Sequence, residues 1–459
     1  MVEFMHLIQN KELSMRRATE NEENRYTYWK WRVLLATMLC YMFFYCGRFG
    51  LSICMKPIMN EFGWSKSTMG MMVSALIISY GIGQFINGSL ADRFGRILMP
   101  IGAVTSCALN WLFSFSPDIA PGIATLLGIT NISSVIFATM AVVFACNGYF
   151  QAMGMAPGGR LISNWWVHHE RGKAMGFYTF AAGMSNVTVF VLATLCADRL
   201  GWRAAFRYPT LLMAIVAVAF YFMTKDKPED AGLKSRQEGT GKKRGSSIEQ
   251  YVECLKNRDF VLASFSIAFH HVIRWGLLSF IPIFFIEVVG WKIKGAGFVS
   301  AALPLGMAFG ALTGGYISDK FFGGKRANVI AVSLLLCSIC VFIMPSLATY
   351  TVSHPETGKI FSIAMLIVSG FMLYGPIAPY FALPADLLGT QNSGTGIGIM
   401  NAVAYGGAAA GTAIIGVICD NYGWNATFFF MACCGLVALI LIKLMREDKD
   451  KQNQPQSVT

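Results

Sequence analysis

Between residues 32 and 443 the chain is a succession of apolar stretches, each about 20 residues long, the length an α-helix needs to cross a bilayer. Twelve spans are predicted, at 32–54, 68–90, 97–115, 132–157, 173–196, 204–223, 260–286, 296–317, 327–347, 361–384, 393–418 and 425–443. Their unbroken apolar character with interspersed glycines suits helices, and no strand-like alternation of about ten residues competes with it. With 55% hydrophobic and only 14% charged residues over 459 positions, and a mean hydropathy of +0.51, a soluble domain is excluded. The expected fold class is an all-α membrane protein of twelve transmembrane helices in two six-helix bundles.

The basic residues set the orientation. The first thirty positions are polar and charged without a signal-peptide core, so the N-terminus is expected in the cytoplasm. On that assumption the outer loops carry only Lys56, Lys66, Arg199, Arg203, Arg207, Lys292, Lys294 and Lys359 of the 37 Lys and Arg, and the cytoplasmic loops carry most of the rest. Both termini then lie inside, in a cell membrane, the inner one if the cell is bacterial. The net charge of +12 is spread over many inward loops, which argues against a nucleic-acid surface. All cysteines except Cys254 fall within spans or at a span end, including the C-x-x-C pair Cys337 and Cys340, and are expected to be packing residues.

A polar stretch from Lys225 to Asp259 divides six spans from six. The chain is read as a first bundle (1–224), a central cytoplasmic linker (225–259) and a second bundle with a short tail (260–459). The halves repeat each other weakly: GRFGL (47–51) answers IRWGL (273–277), GSLADRFGR (88–96) answers GGYISDKFFGGKR (314–326), and DRLGWRAAF (198–206) answers DNYGWNATF (420–428). This parallel repeat with a long middle loop resembles the layout of the major facilitator superfamily. The loops after the second and eighth spans offer gating candidates, Asp92, Arg93, Arg96, Asp319, Lys320, Lys325 and Arg326, whose opposite charges can pair when the bundle closes on that side.

Two arginines, Arg48 and Arg274, lie deep inside spans, at matching positions of the repeat. An ionised side chain at bilayer depth costs several kcal/mol and marks a functional site by default. All 25 acidic residues map to loops or span ends, with Glu287 and Asp386 nearest the interior, so neither arginine has a protein counter-ion in prospect. A pair of guanidinium forks suits a doubly charged oxyanion such as a phosphate group. Tyr41 and Tyr45 share a helix face with Arg48, and His270 and His271 share one with Arg274, which supplies hydrogen-bond donors beside each charge.

The residues at this point resemble the organophosphate:phosphate antiporters, the family that includes glycerol-3-phosphate and hexose-6-phosphate transporters. The resemblance is carried by YMFFYCGRFGL (41–51), GYFQAMGMAPGGRLISNWWVHHERG (148–172), IRWGLLSFIPIFF (273–285) and GFMLYGPIAPYFALPADLLG (370–389). It implies that Arg48 and Arg274 clamp a phosphate, that Tyr41, Tyr45, Tyr405 and Gln151 line the same cavity, and that an external organic phosphate is exchanged for internal inorganic phosphate. The chain departs from the glycerol phosphate branch at Ala182, where that branch has a histidine, at Phe49, where it often has a basic residue, and at His271, where it has a tyrosine. Asn186, Tyr178 or His271 then supply the polar contacts to the organic part.

The expected function is therefore alternating-access exchange by a monomer, with no cofactor or metal. The alternatives are proton-coupled symport of an organic carboxylate such as a sugar acid, with His271 or His270 titrating, and a transporter-like sugar-phosphate sensor signalling to a kinase. An enzyme is not expected: His168 and His169 are adjacent, point apart on a helix and have no carboxylate cluster around them.

Overall fold

The computed structural model describes residues 2–236, 248–322 and 325–445, and among these every regular element is helical. In chain order the first half holds α1 (Val2–Phe44), α2 (Gly50–Phe62), α3 (Lys66–Phe94), α4 (Leu98–Leu127), α5 (Ile132–Gln151), α6 (Met155–Trp165), α7 (His168–Leu200) and α8 (Trp202–Met223). The second holds α9 (Ile248–Lys256), α10 (Arg258–Val288), α11 (Ile293–Ser300), α12 (Ala302–Phe322), α13 (Arg326–Ser353), α14 (Pro355–Tyr374) and α15 (Ile377–Lys443).

Among the described residues, eleven helical segments are long and apolar enough to cross a membrane. The expected eleventh and twelfth spans are both present but share one segment, Asn392–Lys443, interrupted only at Gly423 (φ 78°, ψ −174°). Gly201, between α7 and α8, has nearly the same backbone (φ 84°, ψ 169°). These are the glycines of the repeated DRLGW and DNYGW. A single residue in this positive-φ conformation joins two helices, and only glycine takes it without strain.

Within the first bundle α4 packs on α5 and α8, and α3 on α5; within the second, α10 and α13 pack on α15 and α12 on α14. The bundles meet along α3 with α15, α7 with α12 and α2 with α10. Small residues let the backbones approach: a Cβ on Gly183 of α7 would stand 2.6 Å from Cα of Ala308 on α12. Polar contacts lock the same seam, with Ser74 Oγ donating to the Ala409 carbonyl at 2.6 Å and 2.9 Å from Thr412 Oγ1.

At the end of the molecule remote from the linker, the halves are joined by charge. Glu287 accepts from Lys56 (2.6 Å) and Trp424 Nε1 (3.0 Å) and pairs with Lys66 (3.2 Å). Asp420 caps the start of α3 from the opposite bundle, accepting from the backbone N–H of Lys66 (3.0 Å) and Ser67 (2.7 Å), where helix geometry leaves donors without partners. The described start of the linker is fastened to the first bundle, with Trp165 Nε1 donating to the Lys225 carbonyl at 2.8 Å and Arg236 gripping both carboxylate oxygens of Glu23 at 2.8 Å.

Candidate functional site

The first span is not one continuous helix. α1 ends at Phe44, residues Tyr45–Gly47 form a single 3₁₀ turn, and α2 restarts at Gly50, so Arg48 stands in a break. Its guanidinium carbon lies 4.0 Å from the Tyr80 ring centroid and 4.4 Å from that of Tyr45, and Nη2 donates to the Gln151 carbonyl at 3.4 Å. Aromatic faces supply the negative potential that a buried cation needs when no carboxylate is at hand.

Arg274 projects from α10, which runs unbroken through it. Its Nη2 donates to the Tyr374 hydroxyl at 2.7 Å, and its Nη1 to Nε2 of His271 at 3.2 Å. A guanidinium has no acceptor, so His271 Nε2 must carry a lone pair and its Nδ1–H donates to the Ile267 carbonyl at 3.0 Å. The arrangement therefore uses the neutral imidazole. His270 is turned aside, with Nε2 at 2.7 Å from the Leu373 carbonyl.

The two arginines belong to one layer that crosses the seam between the bundles. Tyr80 meets Tyr405 with ring centroids 5.1 Å apart, and Tyr405 meets His271 at 5.9 Å. Phe49 and Trp275, the residues that follow each arginine, stack across the same seam at 5.2 Å. Arg48 and Arg274 are only 4% and 7% exposed, yet neither forms an ion pair with any carboxylate among the described residues. Nε of both arginines and Oε1 of Gln151 are buried without a partner. Burial of an unpaired charge is costly. Two such charges in one layer, with donors to spare, suit an oxyanion.

Of the other residues singled out in the sequence, Tyr41 and Tyr178 lie beside the Arg48 cluster: their rings are 4.9 Å apart, Tyr41 is 5.7 Å from Tyr45, and the Tyr178 hydroxyl donates to the Gly154 carbonyl at 3.0 Å. Gln151 joins the cluster through its carbonyl, while its Nε2 donates to Ser106 Oγ at 2.7 Å. Asn186 is bonded within its own helix, Nδ2 to the Ala182 carbonyl at 3.4 Å, with a buried Oδ1 that has no partner.

Sequence reasoning missed Tyr80 and Tyr374, which touch the arginines directly, and the buried amides Asn110 and Asn147, which hold the break. Tyr374 lies inside the stretch GFMLYGPIAPY that carried the family resemblance, so a signal for it existed. Tyr80 sits in SYGIGQF with no charge beside it and no counterpart in the repeat.

On the linker face, Arg96 receives Asp226 on its backbone N–H (2.8 Å) and near its Nε (3.9 Å), and Arg326 pairs with Asp386 at 2.8 Å. Neither pair crosses the seam: the first ties the start of the linker to the first bundle, and the second lies within the second bundle. Arg93 and Lys325 are exposed, and Lys320 Nζ donates to the Tyr316 hydroxyl at 2.7 Å. The side chains of Asp92 and Asp319 lie outside the described residues, as do those of His168 and His169 at the start of α7. Among the described residues no group of three or more His, Cys, Asp or Glu is arranged to hold a metal ion.

Two helical bundles closed around a charged layer at their seam define a multi-pass membrane protein of the two-domain carrier type. The chain belongs to the Major Facilitator Superfamily, whose model matches residues 37–412 and 360–459. It is similar to the glycerol-3-phosphate transporter of Haemophilus influenzae (25% identical, covering 94% of each chain) and to a probable hexose phosphate transport protein of Chlamydia trachomatis (26%, 91% of each). The membrane sensor protein UhpC of Escherichia coli is 25% identical over 93% of this chain and 95% of its own. In fold it matches a solved D-xylose-proton symporter with a TM-score of 0.66 at 16% identity, over 91% of this chain and 98% of that one. The organophosphate branch that the sequence resembles is the one to which these curated relatives point.

Proposed function

We propose that the protein exchanges an organic phosphate for inorganic phosphate across a cell membrane by alternating access, with both termini and the linker in the cytoplasm. The observation that carries this reading is the pair of buried, carboxylate-free guanidiniums, one from each bundle, joined by a layer of tyrosines and His271. A phosphate dianion between Arg48 and Arg274 offsets their mutual repulsion of roughly 1–4 kcal/mol at a few ångström in a watery to protein-surface dielectric. The loaded site then favours closure of the halves and the empty one resists it, which makes exchange obligatory. The bundles 1–224 and 260–459 rock as units about the seam, and the end tied by Glu287 and Asp420 is the outer one. Each chain holds a complete site, so a monomer suffices, and no bond is made or broken in the cycle.

The names of the relatives support an organophosphate cargo, since glycerol 3-phosphate and hexose phosphates are what those proteins carry. The neutral His271, held as an acceptor by Arg274, favours a positioning role over proton coupling. The test is counterflow: liposomes holding labelled phosphate are offered glycerol 3-phosphate, hexose 6-phosphates, phosphoglycerates, phosphonates and sugar acids outside. Release of label by one or more organic phosphates supports exchange, and failure of every phosphate compound to release it overturns the reading. Because the UhpC relative is named a sensor, binding without any flux is the outcome that turns the same site into a receptor.

A further inference from the structure

We propose that Asn147 and Asn110 are positioning residues that aim Arg48 at the anion, an inference that rests on the reading of Arg48 given above. The break in the first span removes the Gly47 carbonyl from the helical ladder. Two side-chain amides take it instead, Asn147 Nδ2 at 2.6 Å and Asn110 Nδ2 at 3.2 Å. That carbonyl and the N–H of Arg48 belong to one rigid peptide plane. The other edge of the plane is also held, since the Arg48 N–H donates to the Tyr45 carbonyl at 2.8 Å. With both edges fixed, the direction in which the Arg48 side chain leaves the backbone is fixed too.

The amides are themselves locked. Ser106 Oγ donates to Asn147 Oδ1 at 2.5 Å, Asn110 Nδ2 donates its second N–H to the Ser106 carbonyl at 2.8 Å, and Gln151 Nε2 donates to Ser106 Oγ at 2.7 Å. Ser106, Asn110, Asn147 and Gln151 are all at most 1% exposed. The last link returns to the arginine, because the Gln151 backbone carbonyl receives Arg48 Nη2 at 3.4 Å. Arg274 has no counterpart to this network: its helix is continuous, so the α-helical ladder holds its backbone, and its side-chain partners are Tyr374 and His271. The two arginines are thus positioned differently, Arg48 by side-chain amides at a break and Arg274 by an unbroken helix.

The test uses the purified full chain in detergent and labelled inorganic phosphate, with affinity measured at pH 6 and pH 8, where the monoanion and the dianion dominate in turn. Asn147→Asp keeps the size but has no N–H to donate, and Asn110→Ala removes the longer bond. A misaimed Arg48 lowers dianion affinity by about 10- to 100-fold, the range of a charge-assisted contact, and monoanion affinity by less. The pH 8 to pH 6 affinity ratio therefore falls in both variants, and in an Arg48→Lys background Asn147→Asp has little further effect. Variants that melt earlier but keep the wild-type ratio, or whose losses simply add to that of Arg48→Lys, overturn the positioning role while leaving the clamp intact. Absence of phosphate binding by the wild-type chain overturns the clamp reading and this inference with it.

Discussion

Tyr80 of the first bundle and Tyr405 of the second meet with ring centroids 5.1 Å apart, and each also touches the site of its own half: Tyr80 the Arg48 guanidinium at 4.0 Å, Tyr405 the ring of His271, the imidazole bonded to Arg274, at 5.9 Å. The pair is the physical link between the arginines. Replacing Tyr80 by Ala removes a cation–π face worth about 0.5–2 kcal/mol, so phosphate affinity should fall roughly 2- to 30-fold. Tyr80→Phe keeps the face and should stay within a few-fold of wild type. Equal losses for Ala and Phe in a binding titration would assign the role to the hydroxyl instead.

Gly47 tests the break. A Cβ there would collide with the Gln151 amide and Ser106 Oγ, whereas one on Gly50 would meet its nearest atom at 3.6 Å. Overpacking of this kind costs about 1–3 kcal/mol. Gly47→Ala should lower the melting temperature and exchange together, and Gly50→Ala should leave both near wild type. A fully stable, fully active Gly47→Ala would mean that the amide network is loosely held.

Glu287 ties Lys56 and Lys66 across the seam, with the carboxylate side chain 16% exposed. Glu287→Gln removes both ion pairs, and half-buried pairs of this kind are worth roughly 1 kcal/mol each. Spin labels on exposed Leu126 and Tyr422, one in each bundle, should then report a longer distance in a larger share of molecules. An unchanged distance distribution would show that apolar packing, and not charge, seals this end.

Gly201 and Gly423 share one positive-φ conformation at the matching turns of the repeat. Alanine at either should destabilise the fold by about 1 kcal/mol or more through backbone strain. Yield and thermal stability in detergent check this, and unchanged values for both variants would contradict the turn assignment.

The spans, the repeat and the two arginines were legible because each is a departure from bilayer chemistry written in residue type alone. Arg48 and Arg274 stand out in apolar sequence, and the lack of buried acids is visible without coordinates. The break at Tyr45–Gly47 was not legible, because it depends on amides from α4 and α5 reaching Gly47, a contact that no local pattern encodes. Tyr80 was missed for a related reason: its neighbours in sequence are unremarkable, and its role arises from standing under Arg48 and against Tyr405. The last two spans read as separate elements, whereas the chain turns on Gly423 alone and keeps helical bonding on both sides.

The central claim is that both guanidiniums hold the transported phosphate, and phosphate self-exchange in liposomes tests it most directly, with Arg48→Lys and Arg274→Lys compared to wild type. Lysine keeps the charge but loses the planar fork. Each variant is predicted to lose exchange by about 100-fold or more, on the scale of a charge-assisted, two-point contact. Wild-type exchange rates in either variant would contradict the clamp.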